Sequence, residues 1–368
     1  MSPSTAPFAS RRAVYIDWTR GIAVLLMLEA HTLDAWTRAA SRTSTAYAYA
    51  VMAAGFAAPL FLWLAGLAVP LAAASSLRRG MSRRAAAEKV CCRGLEIFIL
   101  AFLFRLQAFL LSPGAHPVTL FRVDILNILG PAIVVTGLVW LLVESTAGLV
   151  TAYAVLATTA AMVTPLARTA SFVSTLPTWV QWYIRPAADN TTFTGFPWIG
   201  FTFAGAAVGV LISALNESTR RRLFIALAII GGALIGLGFF AATLPSIYVE
   251  SSFWTSSPTY FAIRVGVMTT ALALLYFVQP VLSPGGLVSS IVARLGRSSL
   301  FVYWIHVELV YGYASWAIHR RLPLWGTALG YVVFTAFIYA VVVLRDRTAD
   351  AWRRRQQQIA FQYKAEPV

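Results

Sequence analysis

Apolar residues run along this chain in blocks separated by short polar segments, and no block alternates apolar and polar positions as a half-buried strand would. A bilayer core calls for about 20 consecutive apolar residues in one helix, and about ten runs approach that length. They extend from Val14 to Trp36, Ala50 to Ala74, Gly94 to Leu111, Val123 to Val143, Gly148 to Leu166, Phe193 to Leu215, Leu223 to Leu244, Phe261 to Leu282, Ser298 to Ile318 and Gly326 to Leu344. The pattern predicts an all-α fold, a polytopic membrane helix bundle of about ten transmembrane helices. It divides into a transmembrane domain over 1–344 and a basic cytosolic tail over 345–368, with no second soluble domain and no short-period repeat. Composition agrees: 59% of residues are hydrophobic and 12% charged, whereas about a quarter are charged in soluble domains.

Charge adds the orientation. A formal net charge of +15 raises the question of nucleic acid, but the basic residues sit in short clusters between apolar runs rather than along one face, so no nucleic-acid partner is expected. With the N-terminus inside, the inner segments hold Arg11, Arg12, the Arg78 to Arg93 cluster, Arg220 to Arg222, Arg294, Arg297 and the Arg345 to Lys364 stretch. The outer segments hold far fewer, at a ratio of roughly one to three, which places both termini in the cytosol. The tail would lie against anionic lipid. Arg11 and Arg12 lead into a run that reaches Glu29 and His31 without a small-residue cleavage site, so no cleaved signal peptide is expected. Cys91 and Cys92 are adjacent and form neither a disulfide framework nor a zinc set.

Ionisable groups inside apolar runs each cost about 2.5 to 3.5 kcal/mol on insertion scales and so call for a reason. The first run carries Asp17, Arg20, Glu29, His31 and Asp34. Arg20 and His31 are about 20° from eclipsed and roughly 16 Å apart along a helix axis, so Asp17, Arg20, Val24, Met27, His31 and Asp34 share a face while Glu29 points away. A cation near one membrane face and an imidazole near the midplane suit an anionic carrier held at the surface with proton chemistry deeper in. The bland alternative is a histidine that fixes helix register by hydrogen bonding; the aligned Arg20 and the flanking aspartates favour chemistry.

Four further places put polar groups at depth. Arg105, halfway through the third run, needs a carboxylate or a wet cavity. Asp124 and Asn127 share a face at the start of the fourth. Arg264 near the outer end of the eighth suits snorkelling. Tyr303 and His306 lie one turn apart in the ninth. Without a third ligand at helical spacing from His31 and His306, no metal is expected. Gly200, Gly205 and Gly209 form a small-residue packing surface. The outer aromatics Trp179, Trp182, Tyr248 and Trp254 fit an interfacial belt or a sugar-stacking surface.

Three stretches resemble the transmembrane acyltransferases, in particular bacterial relatives of heparan-α-glucosaminide N-acetyltransferase and, more distantly, the polysaccharide O-acyltransferases. They are Ile16-Asp-Trp-Thr-Arg20-Gly through Met27 to His31; Phe56-Ala-Ala-Pro59-Leu-Phe61 to Gly66; and Leu295-Gly-Arg-Ser-Ser-Leu-Phe-Val-Tyr303-Trp-Ile-His306. Phe196-Pro-Trp198-Ile-Gly200 is similar to the family's middle helix. The chain departs at Asp124-Ile-Leu-Asn127, where the heparan-type branch carries Gly-Val-Leu-Gln, which argues against carrying over an amino-sugar acceptor.

The resemblance implies an acetyltransferase in a bacterial inner membrane, taking its acyl group from cytosolic acetyl-CoA and passing it to a small-molecule or glycan acceptor on the far side. On it, Arg20 holds CoA phosphates with Arg78, Arg79, Arg83 and Arg84 as a basic mouth. His31 is the general base, supported by Asp34 and Asp17. Asp124, Asn127, Arg105, Tyr303 and His306 line the acceptor. Acyl chain length, N- versus O-acylation, direct transfer versus an acyl-histidine and oligomeric state stay open. The competing classes are a transporter or flippase with an intramembrane proton relay, and a non-catalytic membrane partner. Transport ranks second because Pro59 and Pro70 have no counterpart in the second half.

Overall fold

The computed structural model describes residues 13–111, 116–282 and 286–365. Arg11 and Arg12 lie outside these, as does the side chain of Lys364. Helices α1 (Val14–Trp36), α2 (Thr45–Ala54), α3 (Ala57–Arg78), α4 (Arg83–Leu111) and α5 (Ile125–Leu142) open the chain. They are followed by α6 (Thr146–Thr169), α7 (Thr178–Ile184), α8 (Trp198–Ala214), α9 (Glu217–Ala242) and α10 (Pro258–Val278). The last three are α11 (Leu287–Arg297), α12 (Ser299–Tyr311) and α13 (Leu324–Ala365). Among the described residues extended pairing is limited to two isolated bridges, so the fold is all-α.

Each of the ten apolar runs falls on a helix, and among the described residues seven helical stretches are long and apolar enough to cross a membrane. The boundaries differ from the sequence pattern in four places, each for a physical reason. The second run is two helices, because the chain breaks at Gly55-Phe56 ahead of Pro59, leaving α2 as a separate element. The segment before the ninth run, expected as an inner loop, is the amphipathic helix α11, whose exposed side carries Leu287 and Val288. The ninth helix stops at Tyr311, where Gly312 turns extended, and Tyr313–Ile318 continues as a 3-10 segment. At 13 residues, α12 spans about 20 Å against a core of about 30 Å. Finally, α13 runs without a break through positions 344 and 345, so the basic tail is the continuation of a helix.

The chain forms two compact units. The first combines residues up to Ala54 with those from Leu282 onward. In it α1 packs against α11 at glycines: a Cβ on Gly21 would meet the Val292 carbonyl, and one on Gly296 the Asp17 carbonyl. Trp18 adds a bond from its Nε1 to the Ser289 carbonyl (3.2 Å). The other end of α1 is pinned by backbone bonds. Leu322 N–H donates to Trp36 O (2.9 Å), Arg38 N–H to Leu322 O (2.8 Å) and Arg320 N–H to Ala35 O (2.8 Å). Trp36 Nε1 reaches the Val310 carbonyl at 3.2 Å, tying α1 to α12.

The second unit runs from Gly55 to Val281. Its closest crossing is α3 on α8, where Gly66 faces the Thr202 backbone and Gly205 and Gly209 face the carbonyls of Trp63 and Leu67. Of the small-residue surface expected on the sixth run, Gly205 and Gly209 make this contact, with no room for a methyl group, while Gly200 faces Ala160 and Phe261 instead. Exposed apolar side chains crowd the outer faces of α9, including Ile229, Leu237 and Phe240, as a lipid-facing helix requires.

Candidate functional site

The ionisable groups of the first unit gather at the two ends of α1. At its N-terminal end Asp17 is buried and its Oδ2 lies 3.7 Å from Arg297 Nη1. Gly296 makes that meeting possible by letting the end of α11 close on the Asp17 backbone. Arg20 follows one turn later, with its Cβ against the same glycine. Arg345, on α13, donates to Ser298 Oγ (2.8 Å) and lies over the Phe301 ring at 4.6 Å, so this end of the unit concentrates guanidinium groups.

At the other end stand His31, Asp34, His306 and Tyr311. The structure puts His31 five residues before α1 ends at Trp36, one turn ahead of an exposed Asp34. Across from it, His306 is fully buried on α12 (0% exposed) and its ring centroid lies 4.9 Å from that of His31.

Hydrogen bonds fix the tautomers of both rings. His306 Nδ1 lies 2.9 Å from the Val302 carbonyl and 3.0 Å from that of Tyr303. Carbonyls only accept, so Nδ1 carries the proton and the lone pair is on Nε2, which is buried with no hydrogen-bond partner. Tyr303 therefore contributes its backbone to holding this ring. His31 Nδ1 lies 3.1 Å from Tyr311 Oη, and Tyr311 Oη–H donates to Asp34 Oδ2 at 2.9 Å. The single phenolic proton is committed to the carboxylate, so Nδ1 of His31 is the donor and its lone pair, too, is on Nε2.

Between Asp34 and His31, which the sequence pairs as support and base, stands Tyr311. Arg42 holds the same aspartate, with Nη1 at 3.7 Å from Oδ1 and a second bond to the Asp34 carbonyl. Tyr311 escaped the sequence analysis because 277 positions separate it from Asp34. Its only local signal is a place on the same helix as His306.

The other candidates belong to the second unit. Arg105 forms an ion pair with Asp124, as its depth in the third run demanded. Asp124 is also the N-cap of α5 in a reciprocal box with Asn127, whose Oδ1 accepts the Asp124 N–H at 2.9 Å. These three side chains are thus engaged in holding the start of α5. Arg83 donates to carbonyls at the end of the same helix, among them Leu141 (3.3 Å), and lies 4.2 Å over the Trp140 ring. It satisfies carbonyls that the helix itself leaves unpaired. Arg84 pairs with Glu88 at 2.9 Å, Arg79 donates to Ser76 Oγ at 3.3 Å, and Arg78 is exposed. Arg264 lies 4.2 Å over the Tyr260 ring. Among the described residues no three His, Cys, Asp or Glu side chains stand close enough to share a metal ion.

A polytopic membrane helix protein with a buried imidazole beside a half-buried one and a carboxylate-backed tyrosine is the class that fold and site define. Within that class, the family model for heparan-alpha-glucosaminide N-acetyltransferase, catalytic, matches residues 12–238. The chain belongs to this family, and as a member it is a multi-pass membrane acetyltransferase. The match takes in α1 with Arg20 and His31 and ends within α9, ahead of His306 and Tyr311. No curated protein matches the sequence.

Proposed function

We propose that this protein transfers an acetyl group from acetyl-CoA on the cytosolic side of a bacterial inner membrane to a sugar or glycan acceptor on the outer side, with His31 as general base. The observation that carries the reading is the committed Nδ1 of His31, which leaves a basic lone pair on Nε2 of a ring whose centroid lies 4.9 Å from that of His306. Nε2 of His31 takes the proton from the acceptor hydroxyl or amine as that group's lone pair forms the new bond to the acetyl carbon. The carbon–sulfur bond breaks, and the proton passes from Nε2 to the departing thiolate, which restores the imidazole and releases CoA as its thiol.

Arg20 stands about three turns of helix from His31, a separation suited to an extended carrier with phosphates at one end and a thioester at the other. Near the same end of the unit Arg294, Arg297 and Arg345 stand against two carboxylates, Asp17 and Asp346, a surplus of positive charge that favours a polyanion there. Asp17 acts in this scheme by holding Arg297, since it sits at the opposite end of α1 from the imidazoles.

The test is transfer of radiolabel from acetyl-CoA by detergent-purified protein supplied with a cell-envelope glycan extract. His31→Ala should abolish transfer while CoA still binds, and Arg20→Ala should raise the KM for acetyl-CoA. A His31→Ala variant as active as the parent would overturn the assignment.

A further inference from the structure

We infer that Tyr311 is a positioning residue for His31: its hydroxyl accepts the His31 Nδ1–H and passes the load to the Asp34 carboxylate, locking the imidazole in the tautomer whose Nε2 is basic. This rests on the proposed role of His31 and adds a residue that lies beyond the stretch matched by the family. The geometry is one continuous chain. His31 Nδ1 to Tyr311 Oη is 3.1 Å, Tyr311 Oη to Asp34 Oδ2 is 2.9 Å, and Arg42 holds the other carboxylate oxygen at 3.7 Å.

The order of donors follows from valence. An ionised carboxylate accepts only, so the one phenolic proton points at Asp34 and the phenolic lone pairs face Nδ1–H. When Nε2 takes a proton during transfer, the ring becomes an imidazolium, and its positive charge is met through the Tyr311 oxygen by the aspartate. No proton needs to leave Nδ1 and none needs to reach Asp34.

The arrangement is also held from outside. The rings of His31 and Tyr311 meet edge to face with centroids 5.5 Å apart. Trp36 Nε1 donates to the Val310 carbonyl (3.2 Å), and the neighbouring Ser315 hydroxyl donates to that carbonyl as well. The backbone next to Tyr311 is therefore fixed to the end of the helix that carries His31. A tyrosine present only to fill space would not need its hydroxyl placed between two polar groups.

The experiment is Tyr311→Phe, which keeps the ring and deletes the oxygen, compared with Asp34→Ala and the double variant in the labelled acetyl-CoA assay. Tyr311→Phe is expected to lower kcat roughly ten- to hundredfold, the range for a hydrogen bond to a charged group. The KM for acetyl-CoA and the thermal unfolding midpoint should stay near their parent values. Asp34→Ala should lower kcat similarly, and the double variant should lose little more than either single one, because both act through the same bond to Nδ1.

A Tyr311→Phe enzyme with parent kcat, or fully additive losses, would overturn the relay. If His31→Ala is inactive while Tyr311→Phe is unimpaired, the relay fails and the base stands. If His31→Ala is active, the base assignment itself has failed. Should Asp34→Ala not fold, Asp34→Asn, which keeps an acceptor oxygen and removes the charge, is expected to show a kcat between those of the parent and Tyr311→Phe; parent kcat in that variant would count against the relay.

Discussion

Arg105 and Asp124 show what a charge at membrane depth requires. Their side chains are 12% and 11% exposed and form an ion pair. Removing one member of a buried pair leaves the other charge without its counterion, at a cost of about 3–5 kcal/mol, whereas removing both charges costs far less. Arg105→Met should therefore lower the thermal unfolding midpoint strongly. Adding Asp124→Asn should recover more than half of the loss, because asparagine discharges the site while keeping a side-chain oxygen able to cap α5. The measurement is thermal unfolding in detergent, and a single variant as stable as the parent would show that the pair carries no such load. That Arg105 needs a carboxylate is legible from its depth in an apolar run. Tyr311 is not legible in that way, since a tyrosine late in a membrane helix is ordinary and its partners lie 277 and 280 positions away.

Helix contacts in this chain are built on close backbone approach, and that makes glycine substitutions sharply unequal. At the crossing of α3 and α8 a Cβ on Gly205 would strike the Trp63 carbonyl, and backbone on backbone cannot yield by side-chain rotation. Gly205→Ala should force the two helices apart and reduce the yield of monodisperse protein severalfold. Gly236→Ala is the control, because nothing stands within 4 Å of the added methyl on α9. There the change should be neutral or stabilising by up to about 1 kcal/mol, the usual helix preference of alanine over glycine. Size-exclusion profiles and unfolding midpoints of the pair decide it; equal behaviour would mean that the crossing tolerates separation.

The positions of the membrane helices were legible in sequence because hydropathy over about twenty residues is a property of a segment alone. The break between α2 and α3 and the early stop of α12 were not, because each depends on a one- or two-residue backbone event inside an apolar run. Helix α11 was hidden for the opposite reason: its apolar residues line one side only, and a window tuned to full spans averages them with the arginines of the other.

For the molecule as a whole, sidedness decides whether the site can do what is proposed. Helix α13 is 42 residues long, about 63 Å against a core of about 30 Å, so its second half must project from the bilayer. That half carries Arg345, Arg347, Arg353, Arg354 and Arg355, and an excess of arginine next to a span marks the cytosolic side. The proposed transfer requires this orientation, with the Arg20 end of α1 at the cytosol and the exposed Asp34 end, with His31 and Tyr311, at the outer surface. Single cysteines in a Cys91→Ala, Cys92→Ala background test it. Ser44→Cys, shortly after α1, should react with a membrane-impermeant maleimide in intact spheroplasts. Gln356→Cys, in the basic half of α13, should react only after permeabilisation. The reverse pattern would put the Arg20 end of α1 on the outer side, away from a cytosolic carrier, and would overturn the proposed path from donor to acceptor.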